Sequence, residues 1–369
     1  MNQSPSETDC PLVSVIVRTH GQRGNLLREC LHSIVSQDYR PLEINVVEDG
    51  GHHSSTVADE FRNINGIVLN YLSLSPSGRC VAGNAGLAAA EGSWINFLDD
   101  DDQFLPGHLR HLVEHIRLRP QLKGVYGISL EVPTDIHSLT PLSYSESPAR
   151  ETPTKPFSRW RLWRETPFPI QACLFDRRLF EQYGGLDPAL DNLEDWHLWM
   201  RYFSNEPIGC VEEVTSKFRV PADPILLTDR QKSHHEYRRI IEQKQREIMV
   251  TVSGSEFEEV AEEAFRDHLS PDILAISHES SGAGWPIRSM LGIIRAARRV
   301  QRKLRRLIRR SDPHILQLIR DISSGAPHDT YTIPVTDVLS LLPELQSRHE
   351  FADLRIIQLL YRCLGQQRN

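Results

Sequence analysis

An apolar run, Ile95 to Leu98, ends without transition in four carboxylates, Asp99 to Asp102. The run reads as a strand buried in a parallel sheet. The acids then fall at its carboxyl end, the edge at which open α/β sheets hold ligands. Adjacent carboxylates repel one another, and a compact fold keeps such a cluster most readily when a cation neutralises it. All-oxygen ligation suits Mg²⁺ or Mn²⁺, ions that also hold phosphate oxygens. A solvated acidic turn is the competing reading, and the buried strand directly before the acids disfavours it.

The residues upstream alternate between strand and helix. Val13–Val17 reads as a strand that stops at Arg18-Thr-His-Gly21. A helix fits Asn25–Gln37, with Asn25 as N-cap and Leu26, Leu27, Cys30, Leu31, Ile34 and Val35 as its apolar face. A second strand, Glu43–Val47, follows Pro41 and runs into Glu48-Asp-Gly-Gly51. A short helix around Ser55–Asn63, a strand around Gly66–Leu72 and a Gly/Ala-rich helix at Val81–Glu91 lead to the acidic junction. This order predicts an α/β layer with a parallel sheet. The strand ends Thr19/His20, Glu48/Asp49 and Asp99–Asp102 then share one edge and converge on one crevice.

Beyond residue 130 the pattern weakens. Residues 131–170 are rich in Pro, Ser and Thr and read as a long loop or lid, carrying Trp160-Arg-Leu-Trp163-Arg164. Order returns with a strand at Ile170–Phe175, a short helix at Arg178–Tyr183 stopped by Gly184-Gly185, and a helix at Leu193–Tyr202 opening on Glu194-Asp195. From about residue 228 the chain looks helical and polar, with a domain change near residues 225–255. Apolar residues of 285–310 (Ile287, Leu291, Ile294, Val300, Leu304, Leu307) recur near helical spacing among arginines, with Trp285 at the start. A basic amphipathic helix of this kind suits an anionic membrane surface; a helix packed on the first domain is the alternative.

Composition narrows the class. At 39% hydrophobic and 25% charged, the 369 residues can build a globular core. A net charge of −7 argues against nucleic acid as a partner. Six scattered cysteines without C-x-x-C spacing suggest reduced thiols in a cytoplasmic protein. The start lacks the basic and apolar segments of a signal peptide, and no stretch reaches the ~18 apolar residues of a membrane span.

With these residues in view, the chain resembles the family 2 glycosyltransferases of the GT-A fold. The resemblance rests on Val13-Ser-Val-Ile-Val-Arg-Thr-His20, on Leu31 through Gly50, on Gly83 through Asp102 with its D-x-D element, and on Gly184-Gly-Leu-Asp187 followed by Leu193-Glu-Asp-Trp196. It covers roughly residues 11–220 and implies a Rossmann-like, mostly parallel sheet flanked by helices. A catalytic domain at 1–245 and a helical C-terminal extension at 246–369 are expected.

The resemblance also implies roles. Asp101 and Asp99 would hold Mn²⁺ or Mg²⁺ at the donor diphosphate, with Asp102 in support and Asp100 beside the nucleotide sugar. Asp49 would read the nucleobase, with Thr19, His20 and Glu48 nearby. Arg79 and Asn84 lie where donor contacts are common; Gly83 stands where the family usually has an arginine. Asp195 is the candidate base, since inverting transfer needs one carboxylate to take the acceptor's proton, and Glu194 would orient it or bind acceptor. Gln171, Trp160 and Trp163 are expected near a saccharide or lipid-linked acceptor. Trp196 and Trp199 read as core. The implied activity is metal-dependent, inverting transfer from a nucleotide sugar, in bacterial surface-polysaccharide or lipopolysaccharide synthesis, on the cytoplasmic side and peripheral to the plasma membrane. A nucleotidyltransferase and an inactive binding module are the alternatives. His108, His111 and His115 share a helix face that reads as solvated. His234 and His235 are substitutes for a late metal ligand.

Overall fold

The computed structural model describes residues 10–152, 157–253, 256 and 330–336. The chain divides into two compact units, residues 1–243 and 244–369. In the first unit the elements run β1 (Val13–His20), α1 (Gly24–Val35), β2 (Leu42–Asp49), α2 (Ser55–Asp59), β3 (Ile67–Leu74), α3 (Arg79–Ala89) and β4 (Trp94–Asp99). Then come β5 (Gln103–Phe104), α4 (His108–Leu118), β6 (Gly124–Leu139), β7 (Leu142–Glu146), β8 (Arg150–Glu151), α5 (Arg159–Leu162), a 3₁₀ turn at Ile170–Ala172 and β9 (Cys173–Asp176). The unit closes with α6 (Arg178–Tyr183), α7 (Glu194–Phe203), β10 (Ile208–Pro221) and most of α8 (Pro224–Lys244).

One ten-stranded sheet runs in the order β3-β2-β1-β4-β9-β6-β10-β5, with β7 and β8 paired to β6. The β3, β2, β1 and β4 neighbours are parallel, as are β6 and β10; β9 is antiparallel to both its neighbours. This is the mixed α/β, mostly parallel architecture expected. Side-chain alternation along β1 decides what each face sees. Val13, Val15 and Val17 join a core with Leu27, Leu31 and Ile34 of α1 and Leu109 and Leu112 of α4. Ile16 and Arg18 face the other way, where α3 packs so closely that a Cβ on Gly86 would overlap Ile16. An aromatic layer of Trp199, Tyr202 and Phe203 from α7, with Phe168 and Phe175, lies on that side; Phe175 stacks on Phe97 at 6.1 Å.

The structure corrects the reading of 131–170 as a loop or lid. Residues 131–139 prolong β6, which then turns into β7. The Ser/Thr-rich sequence masks a hairpin that is exposed at residues 135–137 and leaves only a short apolar alternation, Leu142 and Tyr144, in β7. Asn25 is not an N-cap: α1 begins at Gly24, and the Asn25 amide donates to the Leu139 carbonyl at 2.9 Å. His108 is fully buried, stacked on Phe104 at 4.0 Å and bonded to Asn96 at 3.0 Å, so the expected solvated histidine face is solvated only in part. Burial pushes the His108 imidazole down to about 3, well inside the neutral range.

In the second unit the described residues include an antiparallel pair, β11 (Met249–Ser253) with β12 (Thr330–Pro334), which adds strand to the helical reading of that region. The basic amphipathic segment 285–310 lies outside the described residues.

Candidate active site

Parallel register brings the three strand ends together as the sequence predicts. Arg18 stands beside Asp99, Thr19 beside Glu48, and His20 beside Asp49. A cleft of about 370 Å³ opens there, lined by Arg18, Thr19, His20, Arg23, Asp49, Arg79, Asp99, Asp100 and Asp101, among others. The end of β4 at Asp99 and the turn after it then sort the acids. Asp99 points to the α3/α7 face, where Arg18 grips it with two nitrogens at 2.7 and 2.9 Å and Arg79 reaches it at 3.0 Å. Asp100 turns to the opposite face and accepts from the Thr19 hydroxyl at 2.6 Å. Arg23 binds Asp101 at 2.5 Å and Asp100 at 3.2 Å.

The same guanidiniums reach α7. Arg18 donates to Glu194 at 3.0 Å, and the Arg79 Nε lies 3.2 Å from it. The Glu194-Asp195 pair is thereby tied to the strand-end carboxylates. Leu193 takes a left-handed backbone, φ 58°, to launch α7 at this point. That conformation costs about 1–2 kcal/mol for a non-glycine residue, which marks the start of α7 as a fixed and strained position.

Burial and charge set the protonation of these groups. Burial alone would raise Asp99, but Arg18 and Arg79 outweigh it and hold it down at about 2. Burial pushes Asp100 up to about 8, against the pull of Arg23. Asp102, buried near Asp101 and Asp99, is also driven well up. Burial and the neighbouring Glu194 charge push Asp195 up to about 7. Arginines neutralise part of the acid run, Arg18 and Arg79 at Asp99 and Arg23 at Asp101.

The metal expectation needs one correction. Among the described residues no three His, Cys, Asp or Glu side chains stand together as ligands for one ion. Asp102 does not turn to the cleft; its carboxylate accepts from the Arg219 amide at 3.1 Å. The turn that follows Asp99 sends the next three carboxylates to different partners, Asp100 to Thr19, Asp101 to Arg23 and Asp102 to the Arg219 amide. Asp99 and Asp101 do line the cleft. Two carboxylates completed by substrate phosphates and water are an ordinary Mg²⁺ or Mn²⁺ site, so this pair fits the ion. Neither His234 nor His235 belongs to a ligand group among the described residues.

Several expected contacts sit elsewhere. Glu48 is fully buried and accepts from the His53 and Ser54 amides at 3.0 and 2.8 Å and from the Tyr71 hydroxyl, so it braces the loop after β2 instead of meeting a nucleotide. Asn84 spends both amide atoms on the Leu186 backbone, at 2.7 and 2.8 Å. A Cβ on Gly83 would stand 2.5 Å from Leu186, which leaves no room for an arginine; Arg79, one turn earlier on the same helix, enters the cleft. Gln171, Trp160 and Trp163 are buried at 1%, 2% and 1% exposure, so none presents a surface to an acceptor. The Trp163 indole donates to the Ser204 hydroxyl at 3.0 Å, and the Trp196 indole to the Leu162 carbonyl at 2.6 Å. Asp49 lines the cleft while accepting from the Ser77 and Gly78 amides at 2.7 and 2.9 Å, which fixes the entry to α3.

Arg18 and Arg23 were not foreseen as site residues. A signal existed for Arg18: a cation inside a buried strand needs an anion, and the adjoining strand ends in four. Arg23 carried no such signal, since it lies in a loop.

Residues 14–184 match the family model described as glycosyl transferase family 2. An uncharacterised glycosyltransferase of Rickettsia prowazekii is 27% identical over 221 residues, covering 58% of this chain and 65% of that protein. The O-antigen biosynthesis protein RfbC of Myxococcus xanthus is 25% identical over 193 residues, covering 52% of this chain and 14% of RfbC. The chain thus spans less than two thirds of either relative. Among solved structures, a mannosyltransferase of Pyrobaculum calidifontis, in complex with GDP-Man and Mn²⁺, aligns with TM-score 0.45 and 17% identity over 80% of this chain and 82% of that one. Residues 14–184, a little under half of the chain, are thus similar to glycosyl transferase family 2.

Proposed function

We propose that the chain is a metal-dependent, inverting glycosyltransferase that moves a sugar from a nucleotide sugar to a hydroxyl of a saccharide or lipid-linked acceptor. The observation that carries this reading is one cleft with Asp99 and Asp101 at a strand end, Asp99 being joined by Arg18 and Arg79 to Glu194 at the start of α7. The reaction asks for an anion-handling side and a base side: the cleft supplies the first, and Asp195, which is not among the cleft's lining residues, would supply the second from the start of α7 beside Glu194.

Asp49 and Thr19 would line the nucleobase end, with Asp49 accepting from a ring N–H. Arg79 and Arg23 bring positive charge to the diphosphate. Asp99 and Asp101 would hold a divalent cation, which when bound supplies Lewis-acid neutralisation of the leaving diphosphate. Asp195 takes the acceptor hydroxyl's proton as that oxygen bonds to the anomeric carbon and the bond to the diphosphate oxygen breaks. Attack from the face opposite the leaving group inverts the centre. The likeness to an O-antigen biosynthesis protein favours polysaccharide synthesis as the setting. The domain limits 1–245 and 246–369, a cytoplasmic location and a peripheral membrane contact through 285–310 belong to the same reading. Among the described residues no helix is long and apolar enough to cross a membrane.

The test is donor hydrolysis across a panel of nucleotide sugars, with Mn²⁺, Mg²⁺ or EDTA. Release from one donor is expected only with metal, and Asp101→Ala is expected to lower it by at least about 100-fold, as for loss of a charge-stabilising group. Equal release in EDTA would remove the metal from the mechanism.

A further inference from the structure

We propose that Arg18 is a positioning residue: its guanidinium fork locks donor-side Asp99 and acceptor-side Glu194 into one unit, and turnover depends on that fork more than on its charge. The proposal rests on reading the cleft as a glycosyltransferase site.

The geometry is specific. Nε and Nη2 take both oxygens of Asp99, at 2.7 and 2.9 Å, and leave Nη1 for Glu194 at 3.0 Å. A planar fork of fixed donors can serve two carboxylates in this way; a lysine ammonium is a single point and cannot. The side chain is 5% exposed, rises from the rigid β1 strand and lies over the Phe97 ring at 5.7 Å. Arg79 meets the same two carboxylates, but it is 45% exposed and comes from the end of a helix. Arg79 is therefore free to turn to a diphosphate, while Arg18 is the permanent link. Asp195 follows Glu194 in the first turn of α7, so fixing Glu194 also fixes the base relative to the donor. Proton abstraction is sensitive to such placement; a misplacement of about 1 Å can cost on the order of 100-fold in rate.

The experiment compares wild type, Arg18→Lys, Glu194→Leu and the double variant. It measures kcat and KM with the active donor, and affinity for UDP and GDP by calorimetry. Arg18→Lys keeps the charge and is expected to bind nucleoside diphosphate as wild type does while kcat falls on the order of 100-fold. Glu194→Leu, which has no acceptor for Arg18 Nη1, cuts the other arm and should lower kcat with the same unchanged affinity. The double variant should be no slower than the slower single, because both changes break one link. Wild-type kcat in Arg18→Lys, or losses that multiply in the double, overturns the proposal. Should Arg18→Lys not fold, an unchanged kcat in Glu194→Leu overturns it alone, since that variant leaves Arg18 on Asp99. A wild type that turns over no nucleotide sugar overturns the underlying reading, and this inference with it; failure of the variants against an active wild type overturns only this inference.

Discussion

Asp195→Asn is expected to cut sugar transfer by about 10²–10⁴-fold, the range of a general base, with nucleoside diphosphate affinity unchanged. Asparagine keeps the size and the polar contact to the Trp196 amide, at 2.7 Å in the native chain, but cannot take a proton. The native rate should also report the charge of this group. Burial and Glu194 push Asp195 up to about 7, while the Trp196 amide, Arg79 and Arg18 pull it back. Beyond these groups, His234 on α8 lies near enough to feel Glu194. A base works only when ionised, so the rate should rise with pH through about 7 and level off above it. At pH 5, two units below, the rate should fall roughly 100-fold as the carboxylate protonates. The asparagine variant should lose that acidic limb. Turnover close to wild type, or a limb that survives the substitution, would move the base to another residue.

What the sequence conveyed followed from burial and period. The strands β1, β2 and β4 are apolar because both faces of the sheet are covered, and their polar ends stand out for the same reason. The convergence of Thr19, Asp49 and Asp99 was legible from topology alone, because parallel strands share an edge. Side-chain direction was not. Asp102 and Glu48 sit in the right segments but turn to the Arg219 amide and to the loop after β2. Whether an acid faces a ligand or a backbone amide depends on partners far along the chain, which local spacing does not encode. The same limit hid Arg18, whose partners are 81 and 176 residues away. The hairpin of β6 and β7 was missed because the exposed stretch at residues 135–137 interrupts the pattern and the alternation of β7, Leu142 and Tyr144 half-buried, is only a few residues long.

Trp163→Ala separates a sugar platform from a core residue, and the structure predicts core. Its ring is 1% exposed, at the end of α5, and its indole nitrogen binds Ser204 at the end of α7. Removing it leaves a cavity and deprives the buried Ser204 hydroxyl of its donor. Truncation of a buried tryptophan costs about 3–5 kcal/mol. For a domain of this size, that corresponds to a fall of roughly 6–20 °C in Tm. Trp163→Phe restores most of the ring and should recover most of that loss, falling short by about 0.5–1.5 kcal/mol for the missing hydrogen bond. An acceptor platform behaves in the opposite way: the alanine variant would melt like wild type, and its acceptor KM would rise. Thermal unfolding followed by tryptophan fluorescence, with acceptor kinetics on whatever remains folded at 20 °C, distinguishes the two. Native-like melting of Trp163→Ala would show that the packing of α5 against α7 is misassigned, and with it the conclusion that residues 159–163 form a wall of the domain rather than a surface open to the acceptor.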